Sequence, residues 1–242
     1  MPAYVIRIFN KMLSIIIPTL NEKKNINQIA NNLSKIKIVS EVIFVDDNSI
    51  DGTFQQIKKL KKKNFFKGFN RNKEERDLSK SVLYGVSKSS QNVILVMDCD
   101  LQHDTQYIEL MWKKFLKNKC DILVASRFKK KNVLGNLGFL RSLTSNLAIF
   151  IINLIFGKKT SDPLSGFFIC KKRIITKNKK FFFARGYKIL FDILYNIRDE
   201  VKVVDYSIVF KKRIFEKSKF KLKIIILFLK HIFYTKFNFK IN

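Results

Sequence analysis

The sequence has few of the residues that break helices and strands or that bind metals and act as acid–base catalysts. Its 242 residues include eight glycines, three prolines, three cysteines and two histidines. A G-x-G-x-x-G turn is absent, which argues against an ordinary dinucleotide-dependent enzyme. Only His103 and His231 supply imidazoles, a number that suits chemistry needing no histidine. The cysteines, Cys99, Cys120 and Cys170, form no motif and cannot all pair, which favours a reducing compartment.

Long apolar runs are also missing. No window reaches the roughly 18 uninterrupted apolar residues of a membrane span, so no transmembrane helix is expected. The start has no signal-peptide pattern, because Arg7 and Lys11 flank only a brief apolar run. Residues 1–12 are expected to be a short N-terminal extension, and Met12 is an alternative start.

Positive charge is in excess, with a formal net charge of +29. Such a surface favours polyanions, either nucleic acid or anionic lipid. Close to an anionic leaflet each Lys or Arg adds about 1 kcal/mol of attraction. Apolar residues make up 47% of the chain, which is enough for a sizeable core. Charge alone therefore leaves both kinds of partner open.

Short apolar runs alternate with helical patterns along the chain. Strands are expected at 13–17, 41–45, 93–97, 122–126 and 201–210, and helices at 26–36, 78–87, 137–155 and 188–197. This alternation predicts an α/β fold, a mostly parallel nucleotide-binding sheet with helices on both faces.

Acidic and polar residues follow three of these strands, at Asn21-Glu22, Asp46-Asp47 and Asp98 to Asp100. The carboxyl ends of parallel strands meet at one edge of a sheet, where α/β folds hold ligands. Three clusters at one edge indicate a nucleotide site. They would repel the phosphates of a nucleic acid unless a metal intervened, so no nucleic-acid partner is expected.

Asp98, Asp100 and Gln102 are the candidate metal ligands. On an extended chain, residues at i, i+2 and i+4 point to the same side, so three oxygen-bearing side chains would converge there. The ion expected at such a site is Mg²⁺ or Mn²⁺, bound together with a nucleotide diphosphate. The alternative is a polar strand end that caps the next helix.

Six motifs occur in order and resemble the family-2 glycosyltransferases of the dolichyl-phosphate mannosyltransferase type. They are PTLNE (18–22), VDDNSIDGT (45–53), MDCDLQH (97–103), SRF (126–128), SDPLSGF (161–167) and R-x5-K (213–219). The likeness covers roughly residues 13 to 220. It implies a GT-A fold and a donor that is a nucleotide sugar, with GDP-mannose as the first expectation.

The resemblance also implies roles for individual residues. The nucleotide-sugar set is Pro18, Leu20, Glu22, Val45, Asp47, Asp98, Cys99, Asp100, Gln102, Arg213 and Lys219. The acceptor-phosphate set is Arg127, Arg141 and Ser145, and the catalytic set is Asp100, Arg127 and Asp162. The sequence departs from the family pattern in four places: Leu20 replaces a Tyr, Cys99 replaces a common Ala, Asp77-Leu78-Ser79 replaces a Gly-rich turn, and Glu216 replaces a Gly.

The expected reaction moves a hexose from the nucleotide sugar to dolichyl or polyprenyl phosphate with inversion. A phosphate monoester has a second pKa near 6 and is largely dianionic at neutral pH, so it needs placement more than a base. Arginine suits that placement. Alternatives are another donor such as UDP-glucose, a glycan acceptor with Asp162 as base, a turn-capping Asp162, or an inactive membrane scaffold.

The end of the chain fits a lipid substrate. Ile224 to Leu229 is apolar and flanked by Lys223 and Lys230, too short to span a bilayer. We expect a glycosyltransferase domain at 13–215 and a basic, apolar tail at 216–242 that forms an amphipathic membrane-contact helix. Together with the apolar stripe at 149–156, this predicts a peripheral protein on the cytoplasmic face of a membrane rich in anionic lipid.

Overall fold

The computed structural model describes residues 12–61, 64–127, 139–209 and 222–238, with the side chains of 139–143, 222–225 and 238 left out. Its strands are β1 (Leu13–Thr19), β2 (Val39–Asp46), β3 (Phe66–Asn70), β4 (Val93–Val96), β5 (Ile122–Ser126), β6 (Phe168–Lys171) and β7 (Val203–Ser207). In these residues they form one sheet in the order β3-β2-β1-β4-β6-β5-β7.

The sheet is parallel except at one strand. β1 pairs in parallel with β2 and β4, and β5 pairs in parallel with β7. β6 runs antiparallel between β4 and β5. All seven residues of β1 are buried, as expected for a strand covered on both faces. The predicted mostly parallel sheet is therefore confirmed.

Helices cover both faces of the sheet. They are α1 (Lys23–Leu33), α2 (Thr53–Lys58), α3 (Leu78–Lys88), α4 (Tyr107–Asn118), α5 (Phe139–Phe156), α6 (Lys172–Asn178), α7 (Ile189–Tyr195) and α8 (Leu222–Asn238), with a 3₁₀ turn at Lys179–Phe181. One core lies between the sheet and α1 and α4, around Ile15 and Trp112. The other lies under α3 and α5 to α8, around Ile16 and Phe191.

The C-terminal helix α8 is part of the second core. His231, Ile232 and Thr235 on its inner side are buried, whereas Leu229 and Phe233 on its outer side are 55% and 65% exposed. The predicted helix is present, but its amphipathic pattern is not confirmed, because apolar residues lie on both sides. No helix in the described ranges is both long and apolar enough to cross a bilayer.

A buried carboxylate fixes the amino-terminal edge of the sheet. Glu41 of β2 is 2% exposed and accepts hydrogen bonds from the Ser14 hydroxyl, the Ser90 amide and hydroxyl, and Lys67. Burial by itself raises the pKa of Glu41, but Lys67, Ser14 and Ser90 together lower it from 4.5 to about 2. The ionised form is therefore the one that stabilises the fold.

Replacing this carboxylate tests that conclusion. Glu41→Gln is expected to lower the free energy of unfolding by about 2 to 3 kcal/mol at neutral pH, since the folded pKa lies below the unfolded one. The difference from the unmodified protein should shrink as the pH falls from 4.5 towards about 2. Urea titrations across this range measure it, and a difference that does not depend on pH would contradict the assignment.

Candidate functional site

The predicted site residues lie along one edge of the sheet. The strand ends Thr19 and Asp46 are paired, Ile16 pairs with Val96, and Ser126 pairs with Ser207. Because β6 is antiparallel, the loop that precedes it reaches the same edge, where Phe168 pairs with both Val96 and Val124. The predicted gathering of the acidic clusters at one edge therefore holds.

The loops after β1 and β2 are joined by hydrogen bonds. The Asn21 amide donates to the Ser49 hydroxyl at 2.8 Å, and the Ile50 amide donates back to Asn21 Oδ1 at 3.0 Å. The Glu22 amide donates to Thr53 Oγ1 at 2.8 Å. Asn21 has a φ of 58°, a left-handed conformation that asparagine tolerates. PTLNE and VDDNSIDGT thus form one wall.

Asp47, within the VDDNSIDGT segment, is buried and forms an ion pair with Arg71. Its Oδ1 accepts a hydrogen bond from Arg71 at 2.7 Å, and its Oδ2 accepts the Asp77 amide at 2.5 Å. Burial raises the pKa of Asp47, and Arg71 partly opposes that rise. Asp77 also caps α3 by accepting the Lys80 amide. The Asp77-Leu78-Ser79 departure therefore replaces a Gly-rich turn with a cap tied to Asp47.

The acidic segment after β4 bends away from the extended course expected for it. The strand ends at Val96, the chain bends from Cys99 to Leu101, and Leu101 has a φ of 61°. Asp100 Oδ1 accepts the Gln102 amide at 3.1 Å. The expectation that Asp98, Asp100 and Gln102 lie on an extended chain was therefore wrong, because the segment is a tight turn rather than a strand.

His103 holds this turn together. Its Nδ1 accepts the Asp98 amide at 3.1 Å, and its ring stacks on Phe167 with centroids 4.8 Å apart. Burial lowers the pKa of His103, although Asp98 and Asp100 oppose the shift. A neutral imidazole accepting at Nδ1 fits that direction. His103 is thus a structural residue of the acidic turn.

Gly166 of the SDPLSGF loop makes room for Asp98. A Cβ at position 166 would lie 2.8 Å from Asp98 Oδ2 and 3.1 Å from Oδ1. The Asp98 side chain is 38% exposed, whereas Asp100 and Gln102 are 7% and 5% exposed as residues. The absence of a side chain at Gly166 therefore sets the position of the most open carboxylate in the turn.

Arg127 and Asp162 form a two-pronged ion pair beside that turn. Arg127 Nε and Nη2 donate to Asp162 Oδ2 and Oδ1 at 2.7 and 2.9 Å. The Asp162 side chain has no solvent exposure and that of Arg127 is 10% exposed. Burial by itself lowers the pKa of Arg127, but Asp162, and also Asp98, raise it above its ordinary value. Both carboxylates therefore favour the charged form of Arg127.

The remaining predicted site residues differ in burial and in their hydrogen-bond partners. Pro18 and Val45 are buried partners in adjacent strands. Leu20 and Glu22 are half-buried, and Glu22 Oε2 accepts from Asn25 at 2.6 Å; Cys99 is buried. Ser145 is half-buried in α5, and Arg141 lies in the same helix with its side chain outside the description. Arg213, Glu216 and Lys219 lie outside the described residues.

The metal-binding potential rests on Asp98 and Asp100. No trio of His, Cys, Asp or Glu side chains gathers as a complete metal cage within the described part of the chain. Mg²⁺ and Mn²⁺ sites that also hold substrate phosphates often use only one or two carboxylates. A 38% exposed Asp98 and an adjacent Asp100 therefore suit a cation that takes its other ligands from diphosphate and water.

The sequence model of Glycosyl transferase family 2 matches residues 14–178, which include the whole acidic edge. The chain belongs to this family. A dolichol-phosphate mannosyltransferase from Pyrococcus furiosus is 34% identical over 225 residues, 91% of this chain and 62% of the relative. One from Saccharomyces cerevisiae is 27% identical over 229 residues, 90% of this chain and 85% of the relative.

Solved structures agree with the fold of this glycosyltransferase. Glucosyl-3-phosphoglycerate synthase from Mycobacterium tuberculosis, in complex with Mn²⁺, UDP-glucose and phosphoglyceric acid, has a TM-score of 0.70. The likeness covers 95% of this chain and 80% of that chain at 16% sequence identity. The expected GT-A architecture is therefore confirmed.

Three residues important to the geometry escaped the sequence analysis. Arg71 pairs with Asp47 across 24 residues, and Gly166 contacts Asp98 across a larger separation. Asp192 of α7 belongs to none of the six motifs. It accepts the Phe183 and Ala184 amides and lies 2.9 Å from His231 Nε2.

Proposed function

We propose that this glycosyltransferase moves mannose from GDP-mannose to dolichyl or polyprenyl phosphate, inverting the anomeric carbon. The observation that carries the proposal is that the space at Gly166 is filled by the Asp98 carboxylate, while Asp162 of the same SDPLSGF loop pairs with Arg127. The acidic turn and the ion pair therefore meet at one edge of the sheet. The relatives named dolichol-phosphate mannosyltransferase support mannose as the transferred sugar and a dolichol-type phosphate as the acceptor. GDP-mannose as the donor is the expectation from the motifs.

The donor side of the proposed site consists of the wall formed by PTLNE and VDDNSIDGT and of the acidic turn. Pro18, Leu20, Glu22, Val45 and Asp47 are assigned to the nucleoside. Asp98, Cys99, Asp100 and Gln102 are assigned to the sugar and diphosphate, and Arg213 and Lys219 are assigned to the phosphates by their motif alone. The two asparagine turns at Asn21 and Asn48, with φ of 58° and 60°, give this wall a fixed shape.

The proposed metal is a divalent cation, Mg²⁺ or Mn²⁺, held by Asp98, Asp100 and Gln102. When bound, it would supply charge stabilisation for the departing nucleoside diphosphate. Support comes from the oxygen-rich donor set and from neighbours of the same fold solved with Mn²⁺ and a nucleotide sugar. His103 and Gly166 hold Asp98 where it can serve that purpose.

The acceptor side needs a cation for a phosphate dianion. Arg127 is assigned to that role with Arg141 and Ser145. Both oxygens of Asp162 accept hydrogen bonds from Arg127, which leaves this carboxylate poorly placed to take a proton from an acceptor hydroxyl. The dianion needs no such base, so the proposal assigns Asp162 to orienting Arg127 and assigns Asp100 and Arg127 to the reacting groups.

A direct assay tests the reaction. The full chain is incubated with GDP-mannose or UDP-glucose, a short polyprenyl phosphate and Mg²⁺ or Mn²⁺, and the lipid product is followed. GDP-mannose should give a β-linked lipid phosphate, and Asp100→Ala should abolish it, whereas Asp199→Ala at the opposite edge should not. An α-linked product, or transfer only to a saccharide hydroxyl, would refute the proposal.

The space at Gly166 provides a sharper test of the donor site. Gly166→Ala is expected to displace the Asp98 carboxylate and weaken metal-dependent nucleotide-sugar binding by about tenfold or more, the usual effect of disturbing a supporting contact to a metal ligand. Calorimetry with Mn²⁺ and GDP-mannose measures this change, and thermal melting checks that the fold is retained.

The matched control is a double-mutant cycle. In an Asp98→Ala background the carboxylate is gone, so adding Gly166→Ala should cause no further loss of binding. An equal loss in both backgrounds would show that Gly166 acts through something other than Asp98.

We further propose that α5 and α8 rest on the membrane that contains the lipid acceptor. Leu147, Phe150 and Leu154 of α5 are 58%, 63% and 75% exposed. Leu229, Phe233 and Phe237 of α8 are 55%, 65% and 42% exposed, and the two helices are in contact. Large exposed apolar side chains beside a net charge of +29 suit the cytoplasmic face of an anionic bilayer.

Surface substitutions test this contact without removing α8, because truncation would take His231 away from Asp192. The triple variant Leu229→Ser, Phe233→Ser and Phe237→Ser is expected to reduce binding to phosphatidylserine-containing vesicles by at least about tenfold. Co-sedimentation measures it. The control variant Ile50→Ser and Leu110→Ser, at exposed apolar residues elsewhere, should bind normally, and a triple variant that binds normally would exclude α8 as the contact.

A further inference from the structure

A carboxylate on β7, outside every predicted motif, organises the loop that contains Asp162. The side chain of Asp205 accepts the Ser161 amide at 2.9 Å and the Ser161 hydroxyl at 2.6 Å on Oδ2. Its Oδ1 accepts the Thr160 hydroxyl. All three hydrogen bonds go to the two residues immediately before Asp162, so this carboxylate fixes the start of the loop.

The bonding of Ser161 extends this order to the strand that contributes Arg127. Ser161 has one hydroxyl proton, and Asp205 accepts it. The 2.7 Å contact between Ser161 Oγ and Ser126 Oγ therefore has Ser126 as its donor. Ser126 directly precedes Arg127 and Ser161 directly precedes Asp162, so the two segments are joined at consecutive positions.

The loop is held on the other side of Asp162 as well. The Ser165 amide donates to the Asp162 carbonyl at 3.2 Å, and the Ser165 hydroxyl donates to the Ala125 carbonyl at 2.8 Å. The Asp162 amide lies 3.4 Å from Thr160 Oγ1. With both neighbours fixed, the Asp162 carboxylate has little freedom, and the guanidinium of Arg127 must follow it.

We infer that Asp205 is a positioning residue for Arg127 and sets the affinity for the acceptor phosphate. The inference rests on the proposed function, because it takes Arg127 as the acceptor-phosphate ligand. Asp205 acts at a distance: it holds Thr160 and Ser161, these place Asp162, and Asp162 orients the fork of Arg127 donors. Bidentate recognition of a phosphate depends on such orientation more than on charge alone.

A purely structural role for Asp205 predicts a different result. If the carboxylate only anchored β7, its loss would lower stability and leave the ratio of donor to acceptor affinity unchanged. A positioning role instead changes the acceptor KM selectively. The two substrates are therefore measured separately, below the melting temperature of every variant.

The test variant is Asp205→Asn, in which the amide nitrogen cannot accept, so either Thr160 or Ser161 loses its acceptor. The KM for polyprenyl phosphate should rise by about tenfold, as expected for one charge-assisted hydrogen bond, while the KM for the nucleotide sugar stays within about twofold. Thr160→Val should shift the acceptor KM in the same direction, and Thr160→Ser, which keeps the hydroxyl, should restore it.

Asp121→Asn is the matched control, since Asp121 also accepts hydrogen bonds from Lys171, Arg173 and the Lys202 amide but lies at the opposite end of β5. It should lower the melting temperature without moving either KM. Equal changes in both KM values for Asp205→Asn, or a change in melting temperature only, would overturn the inference. If the unmodified protein forms no lipid-phosphate product, the proposed function itself fails.

Discussion

The buried ion pair between Arg127 and Asp162 is the interaction on which the edge of the sheet beside the acidic turn depends. A carboxylate with no solvent exposure is costly unless a cation and hydrogen bonds compensate it, and losing one partner of such a pair typically costs about 3 to 5 kcal/mol. The pair also closes the edge of the sheet, because it links the end of β5 to the loop before β6. The guanidinium that the proposed function assigns to the acceptor phosphate is therefore also a structural link at this edge.

Much of the fold follows from the sequence, because buried parallel strands are continuous apolar runs and the helices between them have clear spacing. The helix α4 was not predicted. α4 has Ile108, Met111, Trp112 and Phe115 buried at helical spacing, so its signal was available. The antiparallel direction of β6 could not be predicted, because a buried strand shows the same apolar run in either direction.

The candidate site was predictable in its residue types and less so in its geometry. Strand ends place the acidic clusters at one edge, which the motifs indicate directly. The buried imidazole of His103 stacks on Phe167, a residue distant in sequence, and the apolar and acidic pattern around Leu101 does not indicate its left-handed φ of 61°. Arg71 and Asp205 form their key bonds with partners 24 and 44 residues away, and no local pattern points to such pairs.

Gly166 and Gly186, two of the eight glycines, lie at positions where a side chain would clash or the backbone is left-handed. Gly166 lies against the Asp98 carboxylate. Gly186 has a φ of 88°, donates its amide to Asp77 Oδ2 at 2.6 Å and accepts from the Ser79 amide at 3.0 Å. The Asp77 amide in turn donates to Asp47. This one left-handed residue therefore joins the segment before α7 to the VDDNSIDGT loop.

The two sides of α8 have a consequence for how that helix can sit. Its inner side places His231 2.9 Å from Asp192 and gives the Asn196 amide a partner in Thr235 at 3.1 Å. Turning the helix about its axis to hide Phe233 would bring these polar groups into water and strip a fully buried carboxylate of a neighbour. These inner contacts fix the rotation of the helix about its axis. The exposure of its apolar outer side is therefore a fixed property of the fold.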